Sequence, residues 1–327
     1  MKPTQLEETL NDLLAEKWPI FIWGAPGVGK SSIVKEVAAT KKLDVIDIRA
    51  SLLDPTDLRG IPAVVDGQAR WLPPSFLPQK ANTKGLLFFD ELNAAPPLVQ
   101  ASLYQLTLDR RVGEYVLPDG WKIVAAGNRA SDAAIVFKMP SALANRFIHL
   151  DLEPDVDDWA SWAMTRDLHP LVVSFIRLRR ELLLDMTDTG RGFPTPRSWE
   201  MLSDTFKVLK NPMDAEDVII GIVGEGAAME LLGFIESAIT EDEVAAILAN
   251  PETAKLPDNL GHMYALISYI SSRATEESVQ VSAGKLLSRV EPEWAVIMAR
   301  DILRVAPLFA KEPNYLTFIE KHSSLLV

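Results

Sequence analysis

Gly24-Ala25-Pro26-Gly27-Val28-Gly29-Lys30-Ser31 is the stretch on which the reading of this chain turns. It matches G-x-x-x-x-G-K-[ST] at every position. The apolar run 19–23 before it reads as a buried strand, and residues 29–41 after it read as an amphipathic helix. Strand, glycine-rich turn and helix in that order make a phosphate-binding loop. Glycines let the backbone curl until its N–H groups converge on phosphate oxygens. The helix N-terminus adds a field that favours anions. On this reading Gly24, Ala25, Pro26, Gly27, Val28 and Gly29 form the cradle. Lys30 reaches the β- and γ-phosphates, and Ser31 offers its hydroxyl to Mg²⁺. ATP and Mg²⁺ are the expected cofactors.

Downstream, Leu86-Leu87-Phe88-Phe89-Asp90-Glu91 is an apolar strand that ends in two acids. With a phosphate loop upstream, and in a strand expected beside it, Asp90 is assigned to hold Mg²⁺ through a water. Glu91 is assigned to orient and deprotonate the attacking water.

Working outward, residues 43–48, 85–89, 122–126 and 147–150 read as further strands, and Pro97–Asp109 as a helix. Such alternation implies a parallel sheet covered by helices. Two hairpins interrupt it. One turns at Asp66-Gly67 between Ile61–Val65 and 68–71. The other is expected to run from 112–117 through Pro118-Asp119-Gly120 to Trp121. From Pro154 on, apolar residues recur at three- and four-residue spacing, as in Leu171, Phe175, Leu178, Leu182 and Leu183. The expected division is 1–153 α/β, 154–237 helical lid and 238–327 helical C-terminal extension.

Composition narrows the classes. With 48% hydrophobic residues in 327, a sizeable core is affordable. No cysteine is present, so disulfides, thiol nucleophiles and thiolate metal sites are excluded. His149, His169, His262 and His322 lie far apart, without metal-ligand spacing, and read as structural or surface residues. Gly221-Ile222-Val223-Gly224-Glu225-Gly226 follows no strand and reads as close helix packing. A net charge of −12 argues against a general nucleic-acid binder. No apolar run reaches the ~20 residues of a membrane span. Residues 1–16 lack the layout of a secretory signal. The expectation is a cytoplasmic protein.

Three further segments follow in order: the apolar strand 122–126 ending in Gly127-Asn128, Ala142-Leu143-Ala144-Asn145-Arg146-Phe147, and Gly192-Phe193-Pro194-Thr195-Pro196-Arg197-Ser198-Trp199. With the two nucleotide motifs they resemble the AAA+ ATPases. Within that class, Asp54-Pro55-Thr56-Asp57-Leu58-Arg59-Gly60 looks like the D-P-x-D-L-x-G signature of the MoxR type. Asp90 to Gln100 looks like its D-E-I-N-R-A-P-P-x-V-Q segment, with Ala94 in place of the usual arginine. The resemblance covers about residues 18–200 and is weak beyond.

The resemblance implies a P-loop AAA+ sheet carrying a helix-2-type hairpin insert, followed by an all-helical lid and the helical extension. It implies that Asn128 acts as sensor 1 and helps place the water. Arg146 would be the arginine finger reaching a neighbour's γ-phosphate, and Arg197 the lid's sensor 2. The alternatives are an ion pair of Arg146 with acids such as Asp151, and Arg191 as competitor for the lid role. The Asp66-Gly67 hairpin would be the helix-2 insert, with Ile61, Val64, Val65 and Trp71 at a pore or packed locally. The Asp119-Gly120 hairpin would be the pre-sensor-1 hairpin. A homo-oligomeric ring, usually a hexamer, is implied. It would drive remodelling of a protein client with a von Willebrand factor A domain adaptor. A nucleic-acid motor and a nucleotide-gated assembly switch are the alternatives.

Overall fold

The computed structural model describes residues 1–132, 136–209 and 212–322. The contacts divide the chain into two compact units, Met1–Pro154 and Asp155–Val327.

In the first unit the order is α1 (Pro3–Leu13), β1 (Ile20–Trp23), α2 (Lys30–Thr40), β2 (Asp44–Arg49), α3 (Pro55–Arg59), β3 (Ile61–Val65) and β4 (Gln68–Leu72). Then come β5 (Gly85–Asp90), α4 (Pro97–Asp109), β6 (Arg111–Val112), β7 (Tyr115–Val116), β8 (Trp121–Gly127), α5 (Ser141–Ala144) and β9 (Ile148–Asp151). Five strands form one parallel sheet in the order β2-β5-β8-β1-β9. Its inner strands β5 and β8 are almost wholly buried. That is why they read as continuous apolar runs rather than alternating ones. The edge strand β2 has only Ile48 fully buried. Phe21, Leu87, Phe89, Val99, Leu103, Leu106 and Ile123 fill the core between sheet and α4.

Two expectations are corrected here. The strand ending in Asp90-Glu91 is not beside the P-loop strand, because β8 lies between β5 and β1. And the second hairpin does not turn at Asp119-Gly120. It is the short pair β6–β7, closed at Gly113-Glu114. Pro118 to Trp121 is instead a tight turn, Trp121 N–H to Pro118 O at 3.0 Å, that feeds β8 into the centre of the sheet. There β8 is paired on both sides, by β5 and β1, so no edge remains for a hairpin partner.

The D-P-x-D-L-x-G stretch has a local physical meaning. Asp54 caps α3 by accepting from the Thr56 N–H at 3.0 Å, and Asp57 returns the favour at the Asp54 N–H, 2.7 Å. Pro55 opens the helix and Leu58 is fully buried. Gly60 ends it at φ 86, where a Cβ would lie 1.9 Å from the Leu72 carbonyl oxygen. Only glycine lets the two ends of the β3–β4 hairpin close this tightly. The hairpin holds Ile61 and Val64 out, 73% and 78% exposed, while Trp71 is half-covered, with Arg59 6.0 Å above its ring.

The second unit is helical: α6 (Val156–Thr165), α7 (Pro170–Leu178), α8 (Pro196–Val208), α9 (Glu216–Val223), α10 (Glu225–Ser237), α11 (Glu241–Ala249), α12 (Leu260–Ser272), α13 (Glu277–Leu287), α14 (Pro292–Val305) and α15 (Pro313–His322). One hydrophobic core runs from Val156 to Phe318, with α7 against α12 and α12 against α14. The division drawn at 237/238 therefore falls inside a shared core, and residues 323–327 of the expected extension lie outside the described residues. Among the glycines of 221–226 the close packing falls on Gly224: at φ 82 it is the corner between α9 and α10, and a Cβ there would lie 2.9 Å from the Gly192 carbonyl oxygen, whereas a Cβ at Gly221 or Gly226 would meet nothing.

Candidate nucleotide site

In a parallel sheet the loops at the carboxyl ends of the strands share one rim, and ligands bind there. The loop after β1, Asp90-Glu91 at the end of β5 and Asn128 after β8 all lie on that rim.

Loop 24–29 turns into α2 with Gly27 at φ 76 and Gly29 at φ 97. Among the described residues, the N–H groups of Gly27, Val28, Gly29, Ser31 and Ser32 take no protein acceptor. A row of inward N–H donors at a helix start fits an anion. Lys30 is 8% exposed and folds back over the loop. Its ammonium donates to the Gly24 and Ala25 carbonyls, 2.6 and 2.9 Å, and to Asn128 Oδ1, 2.9 Å. An arriving phosphate would exchange some of these partners for its own oxygens.

Ser31 Oγ donates to Asp90 Oδ2 at 2.7 Å. The two groups assigned to Mg²⁺ thus meet although their strands are not neighbours, because α2 crosses the sheet toward β5. Both offer hard oxygens, which suit Mg²⁺. Asp90 Oδ1 accepts from the Glu91 N–H at 2.9 Å. Glu91 is left-handed, φ 55 and ψ 34, a conformation uncommon for a residue with a side chain. Its carboxylate accepts a 2.6 Å hydrogen bond from the Ser51 hydroxyl.

Asn128 is fixed by a residue to which the sequence reading gave no role. Asn93 Nδ2 donates to Asn128 O at 2.7 Å, and Asn93 Oδ1 accepts from the Asn128 N–H at 3.2 Å. This double contact presses on Gly127, where a Cβ would lie 2.2 Å from Asn93 Oδ1. Asn93 is only 3% exposed, so its polar side chain needs partners, and its place in the D-E-L-N order was a usable sign of it. Ser51 carried no comparable sign.

Arg146 follows α5. It does not pair with Asp151, which belongs to Arg129 at 3.1 Å. Instead its guanidinium lies 5.4 Å from the Tyr104 ring centroid, and Nη2 donates to the Tyr104 hydroxyl at 3.1 Å. His149 braces the same segment. Its Nδ1 accepts from Trp23 Nε1 at 2.8 Å, and its Nε2 lies 2.8 Å from Ala144 O. The first bond fixes the tautomer, so Nε2 carries the proton and donates. Arg197 lies in the second unit, exposed in the first turn of α8. Thr195 caps that helix through the Ser198 N–H at 3.0 Å.

The family comparison finds an AAA domain of the dynein-related subfamily over residues 19–147. Midasin from Giardia intestinalis is 30% identical over 170 residues, 48% of this chain and 4% of that protein, so the chain spans a small fraction of that relative. Among solved structures, NtrX from Brucella abortus in complex with ADP is 14% identical, with a TM-score of 0.42, covering 99% of this chain and 68% of that one. A RuvB mutant from Thermotoga maritima is 15% identical, with a TM-score of 0.40, covering 90% and 85%. No helix among the described residues is long and apolar enough to cross a membrane. The five-stranded parallel order, the nucleotide motifs on one rim of it and the family match over residues 19–147 agree on an AAA+ type of P-loop fold for this part of the chain.

Proposed function

We propose that this chain hydrolyses ATP to ADP and phosphate with Mg²⁺, as a MoxR-like ring ATPase. The observation that carries the reading is the meeting of three strand ends at the P-loop: Lys30 with Asn128, and Ser31 with Asp90. The loop N–H groups and Lys30 hold the phosphates. Ser31 and Asp90 would hold Mg²⁺, which would neutralise charge on the phosphate oxygens. Glu91 takes the proton of the attacking water, and Asn128 orients that water. Arg146 stabilises charge on the γ-phosphate in a neighbouring subunit, and Arg197 contacts the nucleotide from the helical half. A homo-hexamer is the expected assembly, and its work is remodelling of a protein client with a von Willebrand factor A domain adaptor. The exposed β3–β4 hairpin supports this reading, since Ile61 and Val64 offer apolar contact to a client.

The test is Glu91→Gln beside Lys30→Ala. The first should keep ATP binding and lose roughly 10²–10⁴-fold in turnover, as expected for loss of a general base. The second should lose ATP binding. Wild-type turnover by Glu91→Gln would overturn the assignment. The ATP-locked Glu91→Gln protein should capture the adaptor from cell extract. Capture of nucleic acid alone would favour a motor.

A further inference from the structure

Tyr104 has no part in the nucleotide chemistry, yet it is the side chain that holds Arg146. It stands on α4, the helix that follows directly from the Asp90–Asn93 segment of its own nucleotide site. Arg146 lies at the end of a short turn, with its N–H bonded to Leu143 O at 3.0 Å. The ring of Tyr104 faces the guanidinium at 5.4 Å, and the hydroxyl takes Nη2 at 3.1 Å. Arg146 Nε is buried without a partner among the described residues. Nη1 has no protein partner among the described residues and is not among the buried atoms. Nη2 is therefore held by Tyr104, while Nη1 is left accessible for another partner.

We propose that Tyr104 is the positioning residue of Arg146: it fixes the direction of the guanidinium that is offered to the neighbouring subunit. The inference rests on the reading of Arg146 as a residue acting in trans. The cation–π contact and the hydroxyl bond do separate work. The cation–π contact holds the guanidinium against the ring. The hydroxyl bond selects which of its two ends turns outward. An unheld arginine would have to find one rotamer each time a neighbour's phosphate required it.

The test compares Tyr104→Phe and Tyr104→Leu with wild type at protein concentrations that saturate assembly. Tyr104→Phe keeps the ring and should lower kcat several-fold, and Tyr104→Leu should lower it by about tenfold or more. KM for ATP should stay unchanged in both, since a subunit's own phosphate cradle is intact. Adding Tyr104→Leu to Arg146→Ala should cost nothing further, because the two residues act as one unit. Mixing decides the route. Tyr104→Leu subunits mixed with Lys30→Ala subunits should regain activity, since the Lys30→Ala neighbour supplies a correctly held Arg146. Rescue of Arg146→Ala by Lys30→Ala without rescue of Tyr104→Leu would overturn the role of Tyr104 and leave the trans arginine standing. Failure of both rescues would overturn the trans reading itself. A full additional loss in the double variant, or a raised KM with unchanged kcat, would also overturn the proposal.

Discussion

The two halves of the chain bury polar groups for different ends. In Met1–Pro154 the buried or half-buried polar side chains Lys30, Ser31, Asp90, Asn93 and Asn128 gather on one rim of the sheet, each bonded to another of the set or to the loop. In Asp155–Val327 the buried charges are Arg177 of α7 and Asp301 of α14, 3% and 0% exposed and 2.6 Å apart. Among the described residues neither oxygen of Asp301 has a well-aligned hydrogen bond, and the buried hydroxyls of Ser268 and Ser271 of α12 likewise have no partner. The first arrangement leaves donors facing a place where a ligand belongs. The second closes on itself between helices. A polar group at a strand end marks chemistry, whereas a polar pair between helices marks register and packing.

The sharpest way to break that comparison is to remove the helical pair. Asp301→Ala leaves Arg177 charged and unpaired, and should cost about 3–5 kcal/mol of stability. Replacing both, Arg177→Met with Asp301→Leu, should recover most of it or exceed wild type. Denaturant unfolding followed by circular dichroism reads both. ATP affinity should be unaffected in folded samples. If the double variant is stable but no longer binds ATP, the pair belongs to the function and the comparison fails.

A second test uses pH. Burial holds the His169 imidazole down at about 4, with Lys207 adding to the effect and Asp167 opposing it. The unfolded chain takes up this proton near pH 6.5, the folded chain near 4. Stability from His169 is therefore fully present above pH 6.5 and is lost as pH falls toward 4. The loss is on the order of 3 kcal/mol. Thermal melts at pH 7 and pH 5 should differ less for His169→Asn than for wild type. An equal acid sensitivity would place the titrating group elsewhere.

The smallest effect belongs to the α/β half. Asp54→Ala removes the cap of α3 and should be felt as earlier hydrogen exchange in the β3–β4 hairpin. Its carboxylate is held below its usual range by the Thr56 N–H and hydroxyl, so wild-type protein at low pH should show the same loosening. A hairpin whose exchange does not change would show that Gly60 alone fixes its ends.

Much of the first half was legible because its strands are buried on both faces and its turns need particular residues. The P-loop, both acids, Asn128 and the Asp66-Gly67 hairpin could all be read that way. Strand order could not be read, since nothing in a run such as Leu86–Phe89 says which neighbour it pairs with. The second hairpin was misplaced because Pro118-Asp119-Gly120 carries a stronger turn signal than Gly113-Glu114. Ser51, Tyr104 and Asn93 act only through side chains brought together by the fold, and of these only Asn93 sat inside a motif. In the helical half the periodicity of α7 was visible, but the partner of Arg177 lies on α14, and no local pattern connects them.

The left-handed backbone of Glu91 has an evolutionary consequence. A residue with a side chain held at φ 55 raises the energy of the native state by roughly 1–2 kcal/mol over glycine. Glu91→Gly should therefore unfold at higher denaturant than Glu91→Ala, the reverse of the order usual at ordinary sites, where alanine gains about 0.4–1 kcal/mol by stiffening the unfolded chain. A lineage that lost the need to hydrolyse ATP would drift toward glycine or asparagine at position 91 and grow more stable as it did. On the proposed role of Glu91 as the base, a redesign scored on folding energy alone would remove that role first.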